Sequence, residues 1–347
     1  MVCTRNTVRL KESSSNKQED INVKQETKFA GMGVDDVGVC SVQSMEPSDE
    51  GAIRAEIINE TKKFVREDPA NRLDLDGLPI YDKPLVGFVA GNDLLFKGLK
   101  AVIGDFHLTP FEAMQQAASL RGVETPPEES IGVIAFVLPM HKETVKDNAS
   151  MSDRPSRRWV HGKYYGEKFR NKLISHIISF LNHKGWFAIS PDNEADFYKV
   201  MFDPRVGYTS NWSQRHVAYA AGLGTFGLSD GLITQAGVAE AVGSVVVNFP
   251  FSSPKRPDDI HAACLHYQKG ACKACVKRCP AGAISDKGHD KNKCAEFAFS
   301  QTPLNKEQYG IEVYSCGLCL TGVPCAGKGP VKRQSVRGFS EVYNHDQ

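Results

Sequence analysis

Residues 264–284 read CLHYQKGACKACVKRCPAGAI and concentrate four cysteines in one short segment. Four more cysteines follow by residue 325, so eight of the ten cysteines lie in one region of this 347-residue chain. Cys3 and Cys40 stand alone in the long cysteine-poor part that precedes it. A secreted disulfide scaffold spreads its cysteines through a short chain, and the N-terminus lacks the apolar segment of an export signal. The distribution therefore favours metal or cluster ligation in a reducing compartment, and predicts a cytoplasmic protein.

The spacing within this segment is typical of iron–sulfur ligation. Cys272, Cys275, Cys279 and Pro280 form C-x2-C-x3-C-P, the end of the bacterial ferredoxin cysteine run. The short spacing aims consecutive thiolates at one cubane, while the last cysteine turns away and ligates a second cluster. Cys264 is the remaining candidate ligand in this segment, and seven residues separate it from Cys272.

The same crossing-over rule divides the eight cysteines into two sets with none left over. The first set, which we predict to bind one 4Fe-4S cluster, is Cys264, Cys272, Cys275 and Cys325. The second set, which we predict to bind another 4Fe-4S cluster, is Cys279, Cys294, Cys316 and Cys319. Cys325 is the least secure assignment, because its spacing from Cys319 departs from the ferredoxin pattern. Two zinc sites of four cysteines each are the alternative use of eight thiolates.

The chain before the cysteines alternates between strand-like and helix-like patterns, which predicts a layered α+β protein. The predicted strands are residues 31–42, 85–93, 131–139, 185–190 and 243–251, and the predicted helices are residues 52–67, 109–120, 159–184 and 213–221. We predict a mobile N-terminal tail at 1–28, an α/β body at 29–255, the cysteine module at 256–330 and a C-terminal tail at 331–347. A segment rich in proline and serine near residue 255 is the predicted hinge.

A glycine-rich phrase lies inside the body. Gly222, Gly224 and Gly227 spell G-x-G-x-x-G, the pattern of a dinucleotide-binding turn. That turn needs a strand before it and a helix after it, whereas here a helical segment precedes the glycines and a strand-like segment follows. Two interpretations are left: a helix end with a tight turn, or backbone packed closely against a flat cofactor. On the second, the three glycines are candidate cofactor contacts.

The overall charge says little about partners. A formal net charge of +1 gives no long-range attraction to nucleic acid or to an anionic membrane. No apolar run approaches the ~18 residues of a membrane span. The basic stretch from Arg154 to Lys172 is interpreted as the solvated face of a helix. We therefore expect neither a membrane nor a nucleic-acid partner.

The order of these phrases resembles the epoxyqueuosine reductase and reductive dehalogenase superfamily over residues 29–330. The resemblance is carried by GVDDVGV, VIAFVLP, GWFA, RHVAYAAGLGTFGLSDGLIT and the double cysteine set. It implies a nitroreductase-like body that binds a base-off corrinoid (a cobalamin), followed by a two-cluster ferredoxin-type module that feeds the corrinoid electrons. It further implies an oxygen-sensitive reductase that requires anaerobic handling. Its implied partners are a small-molecule substrate and an electron donor such as ferredoxin or flavodoxin.

Departures from the family pattern bear on the proton donor. Respiratory dehalogenases begin with a twin-arginine export signal that this chain lacks, and epoxyqueuosine reductases place a catalytic aspartate where this chain has Tyr208. Dehalogenases use a tyrosine as proton donor, so the resemblance implies that role for Tyr208. Asp203 and Tyr198 are the next candidates if the position of the catalytic acid, counted along the sequence, is wrong by several residues. Arg215 and His216 are predicted to assist as cations or to grip an anionic substrate. Simple packing of an aromatic ring beside a helix start is the plain alternative for Tyr208.

A second hypothesis is an electron-transfer or cofactor-reactivating protein without a substrate of its own. The body of roughly 225 residues is far larger than a ferredoxin needs and has the size of a domain, which favours an enzyme. A zinc-stapled binding module is the third hypothesis, and it predicts a colourless protein.

Overall fold

A four-stranded sheet organises residues 47–327, the part of the chain that the computed structural model describes. The helices are α1 Pro47–Glu67, α2 Leu94–Ile103, α3 Pro110–Arg121, α4 Lys142–Ala149, α5 Arg157–His183, α6 Gln214–Ala220, α7 Leu265–Lys269, α8 Ala274–Arg278 and α9 Lys291–Tyr309. The strands are β1 Leu85–Ala90, β2 Gly132–Pro139, β3 Ala188–Ile189, β4 Val200–Asp203, β5 Gly207–Ser210, β6 Gly224–Phe226, β7 Leu232–Thr234, β8 Glu240–Val247, β9 Ile284–Ser285 and β10 Gly288–His289. The main sheet has the order β1-β2-β8-β3 and is antiparallel throughout.

Strand β2 is central because both of its faces are covered. All eight of its residues are buried, and their side chains alternate between two hydrophobic cores. Val133, Ala135 and Val137 face a core built with α2, α3 and α6. Ile134, Phe136 and Leu138 face a second core built with α1 and α5. The body is therefore a three-layer arrangement, and the predicted mixed α/β class is confirmed.

Several predicted elements are confirmed with their local causes. Helix α3 begins at a capping box in which the Thr109 hydroxyl accepts from the Glu112 N–H and the Glu112 carboxylate accepts from the Thr109 N–H. Helix α1 ends one residue before the Asp68–Pro69 pair, as predicted. The predicted strand at 31–42, Cys3, Cys40 and both predicted tails lie outside the described residues. Within 47–327, no helix is long and apolar enough to cross a membrane.

The cysteine module packs directly against the body. The Arg278 guanidinium reaches across the boundary, where Nη1 donates to the Met151 carbonyl at 2.8 Å and Nη2 donates to the Asn148 carbonyl at 3.2 Å. The Val238 N–H of the body donates to the Cys325 carbonyl at 2.9 Å. These contacts fix the cysteine loops relative to the end of the sheet where β8 begins.

Gly317 is a second point of close contact between the module and the body. Its φ is +68°, and an added Cβ would overlap the indole of Trp159 on α5. We expect Gly317→Ala to lower the stability of the reconstituted protein by about 2–4 kcal/mol, from backbone strain plus the overlap. Thermal unfolding followed by circular dichroism under anaerobic conditions measures this loss.

Gly282→Ala is the matched control for that change. Gly282 has a similar φ of +59° in the same module, but nothing lies within 4 Å of its added Cβ. Gly282→Ala should lower the free energy of unfolding only through backbone strain, by about 1 kcal/mol. Equal losses in the two variants would show that the contact with Trp159 does not hold the module in place.

Candidate metal centre

The second cysteine set surrounds one cavity in the module. The cavity is lined by Cys279, Pro280, Ala281, Ile284, His289, Cys294, Phe297, Cys316, Gly317 and Cys319. Three separate elements supply the thiols: the end of α8, the first turn of α9 and the loop around the 3-10 helix Leu318–Leu320. All four cysteines that crossing-over assigned to one cluster therefore lie around the same cavity.

Electrostatics agree with this grouping. Burial, followed by the neighbouring Cys294 and Cys279, raises the pKa of the Cys316 thiol to about 11. Burial raises the pKa of Cys319 as well, and Cys316, Cys294 and Cys279 add to that increase, with a smaller addition from Cys275 of the first set. Thiols influence each other in this way only when they lie close together in a medium that screens charge poorly.

The first set gathers in the same manner. Burial, followed by Cys264, raises the pKa of Cys275, and Cys272 adds to the effect. Burial raises the pKa of Cys325 to about 12, with further contributions from Cys275, Cys264 and Cys272. Cys325, the least secure of the predicted ligands, thus lies among the other three thiols of its set.

The donor chemistry of the module fits iron–sulfur clusters. All eight cysteines are free thiols and are buried or half-buried, and five of them belong to one apolar cluster: Cys264, Cys275, Cys279, Cys319 and Cys325. Thiolates in groups of four are the ligand set of a 4Fe-4S cluster. The Ala283 N–H also donates to the Cys279 sulfur at 3.3 Å, a contact of the kind that tunes cluster potentials. Among residues 47–327, no group of three or more His, Cys, Asp or Glu side chains is arranged to hold a metal ion.

A histidine–aspartate pair that sequence reasoning missed borders the second set. His289 lines the cavity, and its Nδ1 lies 3.2 Å from Asp230 Oδ2. Burial alone would lower the pKa of His289, but the hydrogen bond to Asp230 and the nearby Cys294 raise it to about 9. Asp230 has a φ of +55°, uncommon for a residue other than glycine. No spacing rule connects these two residues, which lie 59 positions apart.

Tyr208, the predicted proton donor, lies on the surface of the body. It sits on β5, is 44% exposed, and makes edge-to-face contacts with Phe202 of β4 and Phe299 of α9. Within residues 47–327, its hydroxyl makes no hydrogen bond. The β4–β5 hairpin that carries Tyr208 was not predicted from the sequence. The two fallback candidates differ from it: the Asp203 carboxylate accepts from the Arg205 N–H, whereas Tyr198 is half-buried.

Arg215 and His216 occupy consecutive positions on α6 but differ in charge. His216 Nδ1 lies 2.7 Å from the Ser213 hydroxyl. Burial, followed by the nearby His107, lowers the pKa of His216 to about 4, so this side chain is neutral near pH 7. The prediction that His216 assists as a cation is therefore not supported, and of the two only Arg215 carries a positive charge.

Glu240 is a buried acid that the sequence analysis did not single out. Its carboxylate is enclosed at the start of β8, with Oε1 3.8 Å from Nε of Arg215, and Oε2 has no hydrogen-bond partner among residues 47–327. Burial, only partly offset by Arg215, raises the pKa of Glu240 to about 8. A carboxyl group with a pKa near neutrality can hold a proton and release it, a property common in active sites. The one available signal was an acidic residue inside an otherwise apolar strand pattern.

The glycine phrase forms a helix end and a hairpin. Gly222 has a φ of +75° directly after α6, and its N–H donates to the Tyr219 carbonyl at 2.9 Å. A Cβ at Gly222 would meet Pro254, and a Cβ at Gly224 or Gly227 would meet Ile233. A helix precedes the glycines and a strand follows them, so the dinucleotide-binding interpretation is excluded. A role of the three glycines as cofactor contacts stays a prediction.

We expect the proton on Glu240 to make stability depend on pH. An unfolded glutamate has a pKa near ~4.3, so between about pH 4.5 and 8 the folded chain holds a proton that the unfolded chain has released. This contribution is fully present below the unfolded pKa and is lost as pH rises toward 8. Relative to Glu240→Gln, which mimics the protonated acid, the wild type should lose on the order of 3 kcal/mol between pH 5 and 8.

Denaturant unfolding of both proteins across this range, under anaerobic conditions, measures the difference. Glu307→Gln is the matched control, because Glu307 is exposed on α9 and its removal should leave the pH profile of the wild type unchanged. Parallel profiles for the wild type and Glu240→Gln would mean that Glu240 is ionised in the folded protein at pH 7.

Comparison with known proteins places the chain among reductases. An epoxyqueuosine reductase of Staphylococcus aureus is 32% identical over 294 residues, which are 75% of this chain and 70% of that protein. An epoxyqueuosine reductase of Francisella cf. novicida is 32% identical over 129 residues, so the match spans 34% of this chain and 33% of that protein. A structure of epoxyqueuosine reductase with an epoxyqueuosine-modified tRNA stem loop is 17% identical with a TM-score of 0.43, covering 80% of this chain and 67% of that one. No family model matches the chain.

Proposed function

Since this chain belongs to the epoxyqueuosine reductase family, we propose that it is a cytoplasmic iron–sulfur reductase that also uses a corrinoid. The observation that carries the proposal is one cavity lined by four free thiols, Cys279, Cys294, Cys316 and Cys319, with four more free thiols in the same module. Burial of Cys319 near Cys275 of the other set supports a short path between the two groups. When bound, the clusters would supply single electrons and the corrinoid would deliver them to the substrate.

The protein's own residues would hold these groups and manage the protons. The first set would hold one cluster and the second set the other, with Arg278 fixing the loops that carry them. Tyr208 would donate the proton, because a phenol is protonated at neutral pH and because counting back from Ala221 assigns this residue to the position of the family's catalytic acid. Arg215 would attract an anionic group of the substrate. The backbone at Gly222, Gly224 and Gly227 would pack closely against the flat corrinoid ring.

Reduction of epoxyqueuosine is the first candidate activity, because it is the activity for which the relatives are named. A member of this family was solved with an epoxyqueuosine-modified tRNA stem loop, which makes the expectation of no nucleic-acid partner doubtful. The substrate to test first is therefore an RNA stem loop that carries epoxyqueuosine. Tyrosine in place of the family's aspartate makes a different small-molecule substrate the second one to test.

We expect about eight irons per chain after anaerobic reconstitution, and pairs of cysteine substitutions should reveal the two sets. Cys275→Ser with Cys325→Ser removes two ligands of the same cluster and should leave about four irons. Cys275→Ser with Cys316→Ser removes one ligand from each cluster and should leave none. Iron analysis together with electron paramagnetic resonance measures both outcomes.

The two double variants are matched, because each removes two buried or half-buried thiols from the same module. Equal loss of iron in both would contradict the assignment of Cys325 to the first set. Stoichiometric zinc without iron, in protein produced anaerobically with ample iron, would replace the cluster proposal by the zinc alternative.

Tyr208→Phe should keep the iron content and the affinity for cobalamin but lower turnover of the epoxyqueuosine stem loop at least ~100-fold, because it removes only the donated proton. Cobalamin titration followed by visible spectroscopy measures binding, and product analysis measures turnover. Tyr198→Phe is the comparison, since it removes the hydroxyl of the fallback candidate. Normal turnover in Tyr208→Phe would exclude Tyr208 as the donor, and absence of cobalamin binding to the wild type at tens of micromolar would favour the electron-transfer hypothesis.

A further inference from the structure

We propose that a basic face of the cysteine module is the docking surface for an acidic one-electron carrier protein. We define the basic face as Lys269, Lys273, Lys277 and Lys287. The inference rests on the proposed function, because a carrier delivers electrons here only if clusters are present. The inference adds to the proposed function the point at which electrons enter the protein, which is beside the first cysteine set.

The positive charge of the module is concentrated well beyond that of the whole chain. Between Cys264 and Cys294 the sequence has seven lysines and arginines against two aspartates and no glutamate, a local net charge of +5. The chain as a whole has a net charge of +1, so the remainder of the chain is net negative by four. The net charge of the whole chain does not reveal this asymmetry. The segment from Cys264 to Cys294 produces a positive electrostatic potential, whereas the rest of the chain is net negative.

The contact of Asp286 brings two elements of the module to one surface. Its carboxylate bonds to the Lys273 ammonium, which joins the turn between β9 and β10 to the start of α8. Helix α7, which ends at Lys269, precedes α8 by only four residues. Lys277 follows Lys273 by four residues and therefore lies on the same side of α8. Lys287 is the neighbour of Asp286 in the turn.

These lysines are available for a partner. Lys269, Lys273, Lys277 and Lys287 are all exposed. Within residues 47–327, Lys269, Lys277 and Lys287 have no carboxylate within 4 Å, so their charge is not neutralised locally. Each of Lys269, Lys273 and Lys277 lies within three residues of Cys272 or Cys275. A carrier bound to this face would thus lie next to ligands of the first cluster.

The chemistry of the surface favours a small acidic electron carrier. Encounters between redox partners bury little area and rely on complementary charge to steer association. A plain alternative is that the lysines only balance the negative charge of the clusters. That role would alter the cluster potentials, whereas docking would alter the rate of association and its dependence on salt.

The test is the rate at which a reduced flavodoxin, used as the acidic carrier, transfers electrons to the full-length reconstituted protein in a stopped-flow instrument. We expect the second-order rate constant of Lys269→Gln/Lys277→Gln/Lys287→Gln to be at least ~10-fold below wild type at low ionic strength. The difference should shrink as salt is added, because screening removes the steering. Reduction by dithionite and the potentials of the clusters should be the same in both proteins.

A triple variant of equal charge change is the control. Lys63→Gln/Lys97→Gln/Lys184→Gln also removes three positive charges, but these lysines lie on α1, on α2 and after α5, outside the module. It should transfer electrons at the wild-type rate within about twofold. Equal rate losses in the two triple variants, or a rate that does not depend on salt, would overturn the docking proposal.

Two further outcomes separate this inference from others. If the basic-face variant keeps its flavodoxin rate but loses ~10-fold in affinity for an RNA stem loop, the basic face binds nucleic acid and the docking proposal is wrong. Wild-type protein without iron after reconstitution would overturn the proposed function and this inference together, whereas iron-loaded protein with a salt-independent rate overturns this inference alone.

Discussion

The Arg278 guanidinium is the interaction on which the arrangement of the metal centre depends. Besides its two bonds to the body, its Nε donates to the Thr321 carbonyl at 3.0 Å and to the Leu318 carbonyl at 3.2 Å. One side chain thus ties α8, the loop of the second cysteine set and the end of α4 together. Within the described residues 47–327 its charge is offset by carbonyl dipoles rather than by a carboxylate, so the region gains a fixed cation without a competing anion.

Because Arg278 directly precedes Cys279, the position of its side chain follows from the cysteine pattern itself. The C-x3-C-P loop orients α8, and α8 then aims the guanidinium at the body. The Cys275 and Cys279 thiols leave the same helix toward different cysteine sets. Any displacement of α8 would therefore disturb both predicted cluster sites and the contact with the body at once.

The sheet determines what lies next to the module. The Val238 N–H bonds to the Cys325 carbonyl, and strand β8 begins two residues later at the buried acid Glu240. Reduction of a carbon centre requires electrons and protons in the same place. Burial raises the pKa of the Glu240 carboxyl to about 8, so this group can hold a proton near neutral pH and release it.

Much of this could be predicted from local sequence, and the remainder depends on tertiary contacts. The capping box at Thr109 and strand β2 follow from spacing and periodicity, because short-range geometry decides them, whereas the division of the cysteines into two ligand sets stays a prediction. The β4–β5 hairpin has exposed apolar residues, Val200 and Phe202, on the side where a polar face is expected, so its pattern gave no strand signal. Glu240, His289 and Arg278 become functional candidates only through partners far away in sequence.

The raised pKa values of the cysteines connect folding to cluster binding. Burial places Cys316 and Cys325 well above their ordinary pKa, so both are protonated thiols at neutral pH when no metal is bound. Ligation requires thiolates, and the protons must therefore leave as the clusters bind. Apolar walls that disfavour thiolate charge in the free protein strengthen its attraction to iron once the charge forms, because the local dielectric is low. The same burial that keeps the empty thiols protonated would therefore strengthen their attraction to any bound cationic centre.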